Sequence, residues 1–309
     1  MDMVLDNKQI GKFKKSQLKS KLSAYSKNGF FKESISCNPN ILLSMLEKEI
    51  YVVTSRGQKI EEREDIVLTW DKTYKKSNYI EQLEYTGKPL SVEKDFILIS
   101  FLHEYAYTTQ QQKILISDNE LCKLVFSKVC PANKEQIEGT LKALWRCTLS
   151  LSIIDSNDKE IYTEGGAIIQ YSKYHKTEGV YEIDVHPLFL SQNMFSYRRY
   201  INMRYYNLLT SAFAKTLFLY YETCNFNNAI KRNIKTLRKR VQSKLRIANV
   251  NQKILHAHEQ LKKVGYLDDY FVDGRRDNLV YTIIKSKSEQ QKERELVKGI
   301  LEGVKKNGK

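Results

Sequence analysis

Residues 234–284 read IKTLRKRVQSKLRIANVNQKILHAHEQLKKVGYLDDYFVDGRRDNLVYTII, and their order decides the fold. Ile234–Leu245 predicts a short, strongly basic helix. A second helix follows, capped at Asn249 or Asn251, with Ile254, Ala257, Leu261 and Val264 on one face. Gly265 ends it, because glycine enters the left-handed backbone at a helix end without steric cost. The period then drops to two through Tyr266-Leu267 and Tyr270–Val272. Asp273-Gly274 is a hairpin turn, and Leu279–Ile284 is the returning strand. Ahead of this stretch, Asn207–Cys224 predicts one long amphipathic helix through Leu208, Leu209, Ala212, Phe213, Leu217, Phe218, Tyr220 and Tyr221. Three helices and a β-hairpin are the order of a winged helix-turn-helix.

The same order occurs upstream. Ser91, Glu93 and Lys94 mark a helix start, continued by Phe96, Ile97, Ile99, Ser100, Leu102 and Tyr105. Ser117 and Glu120 have capping-box spacing ahead of Leu121, Leu124, Val125 and Phe126. Pro131 and Asn133 punctuate, and a third helix from about Lys134 carries Ile137, Leu141, Leu144 and Trp145. Leu149–Ile154, Ile161–Thr163, Ala167–Tyr171 and Gly179–Val185 predict strands, with a turn over residues 155–158. Nearer the start, Ile50–Val53 and Ile66–Trp70 alternate like strands, with weak helical pattern between and after them. The expected fold class is α+β, mostly helical, with two tandem winged helix-turn-helix domains and a basic N-terminal arm. The expected boundaries are a flexible arm over 1–36, a first winged domain with its extension over 37–190, a second over 191–285, and a charged tail over 286–309.

Charge separates the two domains. Between Asp184 and Glu259 stand thirteen Lys or Arg and one acid, Glu222. That segment carries +12 of the chain's net +15, whereas residues 91–186 sum to −4. A concentrated positive field attracts polyanions, nucleic acid above all. Arg adds a planar fork that grips phosphates and guanine edges. Tyr197, Tyr200, Tyr205 and Tyr206 interleave with Arg198, Arg199 and Arg204; rings of this kind either stack on bases or pack internally.

With 41% hydrophobic residues in 309, the chain can bury real cores. No apolar run approaches the ~18 residues of a membrane helix, and lysines interrupt the N-terminal segment; a cytoplasmic protein without membrane partners is expected. Cys37, Cys122, Cys130, Cys147 and Cys224 contain no Cys-x-x-Cys pair, so reduced thiols are expected rather than zinc. There is no Gly-x-x-x-x-Gly-Lys phosphate loop, and Lys159 stands where a calcium loop at 155–158 wants an acid. His256-Ala257-His258 has the look of a metal pair in a nicking enzyme. In a helix, however, residues two apart point about 200° from each other. No cofactor, metal or catalytic residue is expected.

The layout resembles the bacterial plasmid replication initiators of the replication initiator protein A group. The resemblance lies in a helix over Val92–Tyr107, a short one over Ser117–Phe126, and Ile137–Leu144 leading to Thr148–Ile154. A wing and the phrase Val185-His186-Pro187-Leu188-Phe189 follow, then Tyr205-Tyr206-Asn207-Leu208-Leu209 and Lys215–Tyr220. It covers roughly residues 65–285. It implies a protein that binds repeated double-stranded DNA sites (iterons) in a plasmid origin. Such a protein helps open the adjacent AT-rich duplex and recruits host replication proteins such as the replicative helicase or initiator. Dimerisation through the first winged domain, autorepression and copy control are implied too.

Base-edge readers are expected at the start and outer face of the second domain's third helix: Asn251, Gln252, Lys253 and His256. Arg238, Lys239, Arg240 and Lys244 are phosphate candidates on the helix before it. Arg275 and Arg276 sit at the predicted wing tip, and Arg198 and Arg199 are further DNA candidates. Lys134, Gln136, Lys142 and Arg146 are weaker candidates in the first domain. Three rivals remain: a winged-helix transcriptional regulator without a replication role, a nicking enzyme using the histidine pair, and an RNA-binding protein.

Overall fold

A computed structural model describes residues 40–42, 50–54, 63–73, 79–126, 128–155, 160–187, 198–224, 229–241 and 245–286. The arm expected over 1–36, Lys244, the turn at 156–158 and the tail beyond Ser286 lie outside the described residues. The chain divides into two compact units, the first running mainly from Gly57 to Asn202 and the second mainly from Met203 onward.

In chain order the first strands are β1 (Asn40–Leu42), β2 (Tyr51–Val52), β3 (Ile66–Thr73), β4 (Tyr79–Gly87) and β5 (Leu90–Ser91). Helix α1 (Asp95–Thr109) then forms the centre of the first unit. It is buried almost all round, through Phe96, Leu98, Ile99, Phe101, Leu102, Tyr105 and Ala106. Such a helix has no polar face to give up to water. Its first residue is anchored by an ion pair: Arg63 Nη1 reaches Asp95 Oδ2 at 2.7 Å, and Thr140 Oγ1 donates to Asp95 Oδ1 at 3.1 Å. Strand β6 (Lys113–Ser117), helices α2 (Asp118–Phe126) and α3 (Pro131–Leu144), and strands β7 (Thr148–Asp155), β8 (Glu160–Ala167), β9 (Ile169–His175) and β10 (Val180–Val185) follow.

Seven of these strands make two separate sheets. One is three-stranded, in the order β6-β10-β9; the other is four-stranded, β3-β4-β7-β8, and both are antiparallel. The hairpin β7–β8 is thus an insertion between α3 and the β9–β10 hairpin, paired to an N-terminal hairpin. The capping box at α2 forms as the spacing implies, with Ser117 Oγ donating to Glu120 Oε2 at 2.7 Å and accepting from Glu120 N at 3.2 Å. A last strand of this unit, β11 (Arg198–Tyr200), pairs antiparallel with β1.

The second unit contains α4 (Met203–Leu208), α5 (Ala212–Glu222), β12 (Ala229–Asn233), α6 (Ile234–Val241), α7 (Ile247–Lys263), β13 (Leu267–Asp273) and β14 (Val280–Lys285). Its sheet has the order β12-β14-β13, antiparallel throughout. Helices α5, α6 and α7 bury Phe213, Leu217, Phe218, Leu237, Val241, Val250, Ile254 and Leu261, together with Tyr266 just before β13 and Tyr281 and Ile283 of the sheet. Gly265 (φ 80) stops α7, and Gly274 (φ 88) turns the β13–β14 hairpin, both left-handed positions that glycine tolerates. Setting aside the inserted β7–β8 hairpin with its partner strands and the short α4, both units contain the order helix, strand, helix, helix, strand, strand. Within that order β6 pairs with β10, and β12 with β14.

Several expectations need correction. Helices do not dominate; strands claim a nearly equal share of the described residues. Strands β6 and β12 were missed because each runs straight into a helix without a turn residue between them. The residues after Trp70 form β4 rather than helical pattern, paired on both sides by β3 and β7. Helix α1 starts at Asp95 because the Ser91 hydroxyl is used up by Glu93 N in a turn. Pro131 is the first residue of α3 rather than a break, since proline lacks only an N–H that would be unpaired there anyway. The long helix expected over Asn207–Cys224 is two, split where Gln260 Oε1 accepts from Ser211 N at 3.2 Å. Neither Asn249 nor Asn251 caps α7. The helix already begins at Ile247, after Arg246 in an extended conformation.

Candidate nucleic-acid interface

Helix α7 has two sharply different faces. Val250, Ile254, Ala257, His258 and Leu261 are buried, while Ala248, Asn249, Gln252, Lys253, Leu255, His256 and Glu259 are exposed. Its first turn holds no acid, and Arg246 precedes it, so the positive end of the helix dipole is reinforced rather than neutralised. Lys253 Nζ lies 5.6 Å from the Phe213 ring centroid, which keeps the ammonium close to the helix surface.

The basic side chains of α6 behave differently from one another. Arg238 is a tether: its Nε donates to Asn251 Oδ1 at 2.7 Å, and its Nη1 meets Asp277 Oδ1 at 2.6 Å. One guanidinium thereby joins α6, α7 and the single-turn segment Arg276–Asn278 of the hairpin. Beside this cation the Asp277 carboxyl is held below its ordinary pKa, by the hydrogen bond first and by charge second. Arg240 stacks 4.5 Å from the Tyr220 ring centroid, and Lys239 is exposed on α6. At the hairpin tip Arg275 and Arg276 are both exposed, and Arg276 has a φ of 52°, a left-handed backbone unusual for arginine.

The structure brings Arg238, Lys239, Arg240, Asn251, Gln252, Lys253, His256, Arg275 and Arg276 into one unit; Lys244 lies outside the described residues. Arg198 and Arg199 lie outside that unit. They belong to the first unit, where β11 pairs with Leu42 and Ile41 of β1. Sequence reasoning missed Lys231, exposed on β12, and Arg246. That strand gives little sign of itself in the sequence, because Ile230 is its one buried apolar residue. Its Arg232 donates to the Tyr220 hydroxyl at 2.6 Å and to Cys224 Sγ at 3.4 Å.

His256 and His258 point to opposite sides of α7. His256 is exposed, with Nδ1 2.8 Å from Glu259 Oε2. His258 is fully buried; its Nδ1 faces the Ile254 carbonyl at 2.8 Å, and its Nε2 faces the Tyr221 hydroxyl at 2.7 Å. That pattern defines the neutral tautomer with the proton on Nδ1, Tyr221 donating to Nε2. Burial pushes the imidazole pKa down to about 4, against the opposing pull of the Ile254 carbonyl. A metal pair is therefore not available here, and among the described residues no group of three His, Cys, Asp or Glu could hold an ion.

The corresponding helix of the first unit is quieter. Lys134 Nζ pairs with Asp118 Oδ2 at 2.7 Å, Gln136 Oε1 accepts from Lys94, and Lys142 pairs with Glu138 along the helix. Only Arg146 and the 56% exposed Trp145 face water at its end without such a bond. Cys122, Cys147 and Cys224 are buried and unpaired with one another. Among the described residues no helix is long and apolar enough to cross a membrane.

With this geometry in hand, the chain is found to be similar to RepFIB replication protein A. The matches are with Escherichia coli, 23% identical over 194 residues, and Salmonella typhi, 23% identical over 198 residues. Each covers 61% of this chain, and the chain spans 59% of the length of these relatives. The expected resemblance to plasmid replication initiators is thus present in the sequence itself. No family model matches. Among solved structures, domains 2 and 3 of RctB cover 80% of this chain and 98% of their own length, with a TM-score of 0.47 at 10% identity.

Proposed function

We propose that this protein is a non-enzymatic replication initiator that binds repeated sites in a plasmid origin, and that both units are winged helix-turn-helix modules. The observation that carries the reading is the face of the second unit. An outward-facing helix, a tethered basic helix and an arginine-tipped hairpin are presented together. The repeated helix-strand-helix-helix-strand-strand order, with first and last strands paired, supports the winged assignment. In that assignment α7 lies in the major groove, Lys239, Lys253 and Arg246 approach phosphates, and Arg275 and Arg276 approach the backbone or minor groove beside the wing. Arg238 and Asn251 have a different part, as a brace that sets the angle between helix and wing.

The similarity to RepFIB replication protein A supports origin binding over a purely transcriptional role. The burial of His258 argues against the nicking enzyme, whose histidine pair must share one face. Residues 91–186 of the first unit, net −4, offer a duplex no attractive field, which fits a role in self-association or recruitment of host replication proteins. Footprinting on the DNA flanking the gene tests the proposal. Protection of direct repeats about two helical turns apart is expected. Uniform protection with no repeat preference would remove the initiator reading.

A further inference from the structure

The outward face of α7 has a pattern that basicity alone does not explain. A helix turns about 100° per residue. Opposite the buried line of Val250, Ile254, Ala257 and Leu261 runs a line through Ala248, Gln252 and Glu259, with Asn249 and His256 beside it. All five are exposed. Over the first two turns the centre of this face is uncharged. The cations sit on one flank, Arg246 just before the helix and Lys253 within it.

That is the layout a groove demands, since phosphates line its rims and base edges its floor. An uncharged centre has a defined chemistry. Gln252 offers one donor and one acceptor in a plane, the complement of adenine N6 and N7. Ala248 offers only a methyl group, the complement of the thymine 5-methyl. No Arg or Lys stands between them to read guanine. Four residues of helix rise about 6 Å, close to two base-pair steps of about 3.4 Å each. Further along, Glu259 places a carboxylate against His256 at 2.8 Å on the same line. A carboxylate there repels phosphate, so close contact is confined to the first half of the helix.

We infer that Ala248 and Gln252 are the specificity-determining pair of the second unit, Gln252 reading an adenine and Ala248 packing on a thymine methyl two base pairs away. The inference rests on the duplex-binding role proposed above. Its test is selection of duplexes from a randomised library by the full-length protein, followed by titration of the winning sequence. The expected consensus holds an adenine and a thymine at that spacing. Gln252→Ala should erase the adenine preference and weaken the site about tenfold, leaving binding to unrelated duplex unchanged. Replacing that thymine by deoxyuridine, which removes only the methyl, should weaken the wild-type protein several-fold and the Ala248→Gly variant not at all. Both side chains are exposed, and circular dichroism of each variant is the check that it is folded. A consensus unmoved by Gln252→Ala and indifferent to deoxyuridine overturns the pair alone. Enrichment of no duplex at all overturns the proposed function, and the pair with it.

Discussion

Arg238 and Asn251, each expected from the sequence to touch DNA independently, are bonded to one another at 2.7 Å. The same guanidinium holds Asp277 in the turn of the wing. A base reader whose amide oxygen is already occupied is better understood as part of the scaffold. Arg238→Ala and Asn251→Ala should therefore be non-additive in DNA binding, with a coupling energy of about 1 kcal/mol in a double-mutant cycle. Arg238→Lys should behave like the alanine variant, because an ammonium on a flexible stem does not reproduce the planar fork across two acceptors. Strict additivity would show that the two residues act separately.

His258 makes the second unit sensitive to acid. Its folded pKa is about 4, below the ~6.5 of an unfolded histidine. Above pH 6.5 both states are neutral and stability is unaffected. As pH falls from 6.5 towards 4 the unfolded state takes up a proton that the folded state refuses, so stability drops by up to about 3 kcal/mol. Carboxylates such as Asp269 and Asp277, held low by Lys262 and Arg238, lose their stabilising contribution at still lower pH. Urea unfolding at pH 7 and pH 5 of wild type and His258→Gln isolates the histidine share. The variant should be less stable at pH 7 and lose less on going to pH 5.

Glu222, the one acid in the basic segment, is buried and accepts from the Tyr266 hydroxyl at 2.6 Å and from Lys285 Nζ at 3.1 Å. It ties the end of α5 to the chain just after α7 and to the last residue of β14. Glu222→Gln should destabilise the fold by about 3 kcal/mol, because it leaves a buried ammonium without a counter-charge. Adding Lys285→Met to that change should restore much of the loss. Thermal denaturation of the wild type and both variants measures this, and a double variant weaker than the single one contradicts the pairing.

The protein should leave supercoiled plasmid intact in the presence of a divalent metal, before and after His256→Ala. Relaxation or nicking by the wild type that disappears in the variant would restore the enzymatic reading.

Legibility followed local periodicity. Helix α2 was readable because Ser117 and Glu120 stand at capping distance and close on each other as spacing demands. The hairpin β13–β14 was readable from Asp273-Gly274. Strands β6 and β12 were not, since Ile114 and Ile116, or Ile230 alone, give too little alternation in five residues. What makes them strands is pairing with β10 and β14, far along the chain. The start of α7 was missed because the structure uses no capping side chain there. Of the site, the exposed residues Gln252, Lys253, His256, Arg275 and Arg276 follow from helical phase and the turn. The tether through Arg238 does not, because it depends on three elements meeting. The membership of Arg198 and Arg199 in the first unit was equally invisible, resting on β11 pairing with β1.

The central claim is that the basic face of the second unit engages duplex phosphates, and the salt dependence of binding tests it most directly. Affinity for an origin fragment should be measured across salt for the wild type and for variants. With about six cations on phosphates, log K should fall against log salt with a slope near −5. Lys253→Ala with Arg275→Ala should lower the slope's magnitude by about 2, whereas Lys142→Ala with Arg146→Ala should leave it unchanged. A wild-type slope shallower than about −2, or a larger change from the first-unit pair, would contradict the account.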